Sequence, residues 1–259
     1  MVESRRKKVT FRRELIPMGR HGTIAGRKAA QDSKRAASFT KYARLITVAA
    51  KAGGDPDYNP SLRTAIDKAK AAGLPNDNIT RAIKKGTGEL AGETYEELKF
   101  EGYGAGGVAV IVEALTDNKN RTTSSVKHAF DKFGGNLGTP GCVSYMFETK
   151  GVLVFDKESG IDEDQLMDIV LEAGADDLVA YDDSFDVYCS PDAFNDVLAA
   201  VKAAGLEPVE ADIEQVPSME STPEGSQLSS LRKMIEVLEE DDDVQKVYTN
   251  CGVDLYGEE

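Results

Sequence analysis

The sequence has no tryptophan, two histidines and three cysteines in 259 residues. Neither His21 nor His128 has Cys, Asp or Glu around it at metal-ligand spacing, so no zinc-type centre is expected. His21 is placed to touch a phosphate, and His128 falls on a predicted helix in a structural role. Cys142, Cys189 and Cys251 are odd in number, far apart and without a CxxC pair. They read as reduced thiols of a cytosol-like compartment, not as a disulfide framework. No apolar run approaches the eighteen or so residues of a membrane span, and no secretory signal is visible. The expectation is a cytoplasmic protein with no membrane partner. A nucleophile-elbow GxSxG, a Walker loop and a credible pair of catalytic carboxylates are missing too, so neither catalysis nor a cofactor is expected.

What is abundant is charge, and it is divided. The chain carries a formal −14, yet residues 1–93 hold 20 basic against 9 acidic residues, a balance of +11. The remainder holds 11 basic against 36 acidic, or −25. Physiological salt screens charges beyond about 8 Å, less than a domain diameter, so the basic part can meet a polyanion while the acidic part points away. The low average pI does not exclude nucleic acid.

The positive charge lies in and before Gly26–Gly88. Arg27 to Lys51 is rich in Ala, Lys, Arg and Leu, lacks internal Pro and Gly, and predicts a helix of about 35 Å. Arg27, Lys34 and Lys41 recur every seven residues on one face. Arg44 and Lys51 continue that stripe, and Lys28 and Arg35 widen it. Phe39, Tyr42, Leu45, Ile46 and Ala49 fall on another side and face a core. A second helix opens at Asn59-Pro60 and stops at Gly73. A third follows Leu74-Pro75 and ends in Lys84-Lys85-Gly86. Together they predict a three-helix bundle. Its candidate nucleic-acid-binding residues are Arg20, Arg27, Lys28, Lys34, Arg35, Lys41, Arg44, Arg81, Lys84 and Lys85.

Residues 1–17 carry six basic residues and read as a flexible basic arm, or as an extension ahead of a second start at Met18. After Gly92 the pattern changes. Tyr95–Tyr103, Val108–Leu115, Arg121–Phe133 and Cys142–Glu148 predict ββαβ. Val152–Asp156, Asp162–Ala173, Leu178–Tyr181, Phe185–Cys189, Asp192–Ala204 and Val209–Ile213 predict βαββαβ, a ferredoxin-like unit. A Pro/Ser-rich link from Pro217 to Ser226 leads to a helix, Leu228–Glu240, and a strand, Val244–Cys251. Those two complete the first unit. The expected fold is α+β and multidomain: a basic helical domain at 18–93, an α/β domain at 94–149 plus 217–259, and a ferredoxin-like domain at 150–216 inserted into it.

Gly102, Gly104 and Gly107 form a nominal GxGxxG, but a strand follows where a dinucleotide fold needs a helix. A glycine-rich hairpin turn is the better reading. Glu239–Asp243 reads as a solvated helix end, since it lacks the spacing of a calcium loop. The second and third helices also fit a helix-turn-helix, with Asn76, Asn78, Arg81 and Lys84 near the front of a recognition helix. Dimerisation has no visible seam, so a monomer that grips phosphates with little sequence reading is expected. Few aromatics interleave with the basic residues, which argues against a single-strand stacking platform.

Long strings then resemble the YebC/PmpR family, which includes the mitochondrial translational activator of cytochrome oxidase subunit one. They are RKAAQDSKRAASFTKYARLITVAAKAGGDP, NPSLRTAIDKAKAAGLPNDNITRAIKKGTG, YEELKFEGYGAGGVAVIVEALTDNKNRT and GGNLGTPGCVSYMFETKGVL. The chain departs from the family at Gly19–Gly26, where members usually carry a GHSKWANIK-like string. The resemblance implies the same three domains, with the third inserted. It implies a non-enzymatic, nucleic-acid-binding regulator, partnered by ribosomal RNA on the ribosome or by duplex DNA. In the first case it helps elongation through difficult sequences such as proline runs; in the second it regulates transcription. An enzyme with an unrecognised cleft site is the remote alternative.

Overall fold

The computed structural model describes residues 35–256, with side chains from Phe39 onward. Arg20, Arg27, Lys28 and Lys34, the basic arm and the first third of the predicted long helix lie outside the described residues. So does the side chain of Arg35.

Helix α1 (Arg35–Ala49) passes through a 3-10 turn at Ala50–Ala52. Helix α2 (Pro60–Ala71) starts where expected, with the Asn59 side chain accepting the Leu62 amide at 3.1 Å. The Asn59 amide donates to the Ala49 and Gly53 carbonyls, each at 2.8 Å, so one side chain caps α2 and ties it to the end of α1. Helix α3 (Asn76–Gly86) closes the bundle around Ile46, Leu62, Ile66, Ala69, Leu74 and Ile79. Gly86 is not a left-handed stop. It lies inside the helix, where a Cβ would meet the Thr47 carbonyl oxygen at 2.3 Å and the Ala50 Cβ at 2.6 Å. Glycine is required there because two helices touch backbone to backbone. Gly86→Ala is expected to destabilise the bundle by about 1–3 kcal/mol, visible as earlier helical melting by circular dichroism.

Strands β1 (Glu96–Tyr103) and β2 (Ala109–Thr116) form a hairpin in register from Glu96↔Thr116 to Tyr103↔Ala109. The glycine-rich stretch is its turn, with the Gly104 amide donating to the Val108 carbonyl at 2.7 Å and positive φ at Gly106 and Gly107. Helix α4 (Lys119–Lys132) and the two-residue β3 (Asn136–Leu137) follow. The predicted strand at Cys142–Glu148 is absent from this sheet. A 3-10 turn occupies Ser144–Met146, and the Glu101 carboxylate accepts the Val143 and Ser144 amides at 3.1 and 2.9 Å. Those donors are therefore unavailable to a strand ladder. Phe147 instead opens β4 (Phe147–Asp156), which belongs to a second sheet.

That second sheet contains β4, β5 (Ala175–Ala180), β6 (Ser184–Cys189) and β7 (Glu210–Pro217), in the order β5-β6-β4-β7. Helices α5 (Glu163–Glu172) and α6 (Phe194–Ala203) cover one face over Leu153, Phe155, Leu166, Val187 and Val201. All strand pairings are antiparallel, as in a ferredoxin-like layer. The chain then returns to the first sheet as α7 (Gly225–Glu240) and β8 (Val244–Thr249), giving the order β3-β1-β2-β8. Helices α4 and α7 lie on one face of that sheet, over Val108, Val110, Val112, Phe130, Leu231 and Met234. The link between β7 and α7 is short and pinned by a bridge between Ser221 and Cys251. No described helix is long and apolar enough to cross a membrane.

Candidate nucleic-acid interface

The cations of the helical domain divide into two sets by what they touch. One set faces the two-sheet body. The Lys41 ammonium donates to the Glu239 carbonyl at 2.7 Å. The Arg44 guanidinium donates to Asp243 Oδ1 and to the Asp242 carbonyl, both at 2.6 Å, and to the Leu115 carbonyl at 3.2 Å. Its central carbon also lies 5.6 Å from the Tyr95 ring centroid. Lys51 reaches the Tyr95 carbonyl at 3.2 Å. Lys68, on α2, pairs with Asp212 of β7 at 2.6 Å, and Lys246 of β8 pairs with the same carboxylate at 2.5 Å. Asp212 thus joins the helical domain and both sheets.

Asp243 is the other junction. It is buried, and besides Arg44 it accepts the Thr122 hydroxyl at 2.7 Å, the Thr116 hydroxyl at 3.1 Å and Arg121 Nη2 at 2.7 Å. The acidic run 239–243 is therefore not merely a solvated helix end. Its last carboxylate and two of its carbonyls hold the helical domain. Sequence reasoning missed this, because Arg44 and Asp243 are 199 residues apart.

Burial alone would raise both carboxyl groups. At Asp212 the Lys246 and Lys68 ammoniums outweigh burial, and at Asp243 the bonds from Thr122, Arg121 and Arg44 do; both are held below the ordinary value. A depressed folded-state value means stability that is complete above the unfolded carboxylate range and lost as pH falls through the folded one. Acidification below about pH 4 should therefore loosen the helical domain from the body. Small-angle scattering should show an expansion there that Asp212→Asn moves to higher pH.

The second set points outward. Arg81 and Lys84 are exposed on α3, Lys85 is half-buried, and Lys70 is exposed on α2. None of these four makes an ion pair among the described residues. Asn76 is exposed at the front of α3, whereas Asn78 is half-buried, so the two asparagines of the helix-turn-helix reading are not equivalent. His128 is exposed on α4. Cys189 and Cys251 are buried and Cys142 half-buried, and all three are free thiols. Burial, with Asp176 nearby, pushes the Cys189 thiol up to about 11. Among the described residues, no group of three or more His, Cys, Asp and Glu is arranged to hold a metal ion.

These features define a class: a multidomain α+β protein whose cationic helical domain is fastened by ion pairs onto an acidic two-sheet body. Residues 20–89 match the TACO1/YebC protein N-terminal domain, and residues 95–251 match the TACO1/YebC second and third domain. The chain belongs to the TACO1/YebC family. It is 53% identical over 239 residues to a probable transcriptional regulatory protein of Clostridioides difficile, covering 92% of this chain and all of that one. A namesake from Geobacillus kaustophilus is 52% identical over 229 residues, covering 88% of this chain and 93% of its own. The crystal structure of a conserved hypothetical protein from Aquifex aeolicus superposes with a TM-score of 0.78 at 43% identity, covering 86% of this chain and 92% of that one.

Proposed function

We propose that this protein is a non-enzymatic, ribosome-associated translation factor that assists elongation through proline-rich and similarly difficult sequences. It holds ribosomal RNA through its helical domain. The observation that carries this reading is the division of charge, +11 in residues 1–93 against −25 in the rest. Arg81, Lys84 and Lys85 on α3, with Arg20, Arg27, Lys28, Lys34 and Arg35 ahead of them, form the phosphate-binding surface. Lys41 and Arg44 serve mainly to fix the angle between that surface and the body. A stiff cationic surface with few base readers suits a shaped polyanion. The family's mitochondrial translational activator points the same way. The protein works in the cytoplasm as a monomer, without a cofactor.

The relatives' names, as probable transcriptional regulatory proteins, favour a second reading, duplex DNA binding in transcription, with Asn76 and Arg81 touching bases. Ribosome fractionation at near-physiological salt separates the two. Co-sedimentation that survives DNase and disappears on reversing Lys34, Arg35 and Lys84 to Glu supports translation. Absence from ribosomes, with recovery on discrete chromosomal fragments, replaces that reading with the transcriptional one.

A further inference from the structure

A cavity of about 400 Å³ opens on the helical domain between α2 and α3. That volume lies at the small end of the range of about 300–1,000 Å³ for ligand pockets, so a single small unit and not an extended ligand is the occupant to consider. Ile66 and Ile79, both buried, give it an apolar floor, while Arg63, Lys70, Asn76 and Thr80 bring polar groups to its wall. Asp57 and Asp67 line it as well, so it is not a plain phosphate cradle. Cations beside acceptors around an apolar floor match the mixed edge of a base with its phosphate attached.

Pro56 and Asp57 line one lip, and the next residue of that turn, Tyr58, is 88% exposed. This turn is braced. Arg63 donates to the Pro56 and Asp57 carbonyls, each at 3.0 Å; the Asp57 amide donates to Asp55 Oδ1 at 2.9 Å; and the Tyr58 amide donates to the Asp55 carbonyl at 3.2 Å. A rigid backbone thus presents a bare aromatic ring to solvent, an arrangement suited to stacking at little entropic cost. On α3, Asn76, Thr80 and Lys84 stand four residues apart, so the cavity wall continues along one helical strip to an exposed cation.

We propose that Tyr58 and this cavity form a site for one unpaired nucleotide of single-stranded RNA. The base stacks on the ring and enters over Ile66 and Ile79, while Lys70 and Lys84 take the flanking phosphates. This is one stacking position, not a platform, consistent with the scarcity of aromatics among the basic residues. It rests on the RNA reading above and adds to it a preference for a single-stranded segment.

The test measures binding of the full-length protein to two RNAs, a blunt hairpin and the same hairpin with a short tail containing 2-aminopurine. The wild type should bind the tailed RNA more tightly and change the 2-aminopurine fluorescence. Tyr58→Ala should lose at least about five-fold in affinity for the tailed RNA and the fluorescence change, while Tyr58→Phe keeps both. Blunt-hairpin affinity, salt slope and melting temperature should be the same in all three proteins. Equal tail binding by wild type and Tyr58→Ala, or no preference for the tail in the wild type, overturns the site but leaves the helical-domain reading standing. Failure of the wild type to bind either RNA removes the underlying reading as well.

Discussion

Asp243→Ala is expected to destabilise the protein by about 3–5 kcal/mol, lowering its melting temperature by roughly 6–20 °C. Magnitudes decide which of the lost partners matters. Arg121 has a side chain 50% exposed, so it would return to water, and its pair with Asp243 contributes little. Arg44 has a side chain only 13% exposed and would remain largely buried without its anion. Thr116 and Thr122 are fully buried but keep partners: their bond to each other at 2.8 Å, the Thr122 bond to the Asn118 carbonyl at 3.1 Å, and the Asn118 amide donating to the Thr116 hydroxyl oxygen at 2.9 Å. Most of the loss should therefore come from Arg44, and Arg44→Met combined with Asp243→Ala should recover part of it. Hydrogen exchange should show protection lost first in α1 and in the segment leading to β1. A fall below about 1 kcal/mol would show that the helical domain is held to the body by something other than this junction.

The elements legible in the sequence were those specified by nearby residues. Asn59-Pro60, Gly73 and Leu74-Pro75 mark the ends of α2 and the start of α3 through capping and backbone rules that act within four residues. The second sheet showed itself through short, largely apolar strand segments set around two helices in βαββαβ order. Cys142–Glu148 misled because Val143 and Phe147 do become buried while Tyr145 stays exposed, and the amides of Val143 and Ser144 bind Glu101, a partner about forty residues away. Gly86 showed its presence but not its reason, since a glycine at a helix end reads as a stop whether the cause is φ or the neighbouring Thr47 carbonyl.

The candidate interface was legible as a quantity of charge and not as a direction. Periodicity placed Lys41 and Arg44 on a cationic stripe, and the helix-turn-helix reading set Arg81 beside them as a binding cation. Only the tertiary structure turns the first two inward, to Glu239 and Asp243. One local sign existed. Arg44 follows Tyr42 and precedes Leu45 and Ile46, at the margin of the apolar side, where a cation must either snorkel or find a buried anion. Asp243 gave no such sign, lying at the end of an acidic run of ordinary appearance.

That division of labour yields a crossed expectation. Reversing Arg81, Lys84 and Lys85 to Glu should weaken RNA binding by about ten-fold or more, and should flatten the dependence of log affinity on log salt by roughly 2–3. The melting temperature should hardly move, because none of the three makes an ion pair among the described residues. Arg44→Glu should do the reverse. It places a carboxylate against Asp243 and the Asp242 carbonyl, so it should lower the melting temperature by several degrees. Once the folded fraction is allowed for, the salt slope should stay at the wild-type value, since Arg44 touches protein and not phosphate. Titrating a fluorescent ribosomal RNA hairpin at four salt concentrations, beside thermal melts of the same samples, separates the outcomes. If Arg44→Glu flattened the slope as much as the α3 reversals, the helical domain would have to leave the body to bind. The Asp243 junction would then oppose binding and would not be its scaffold.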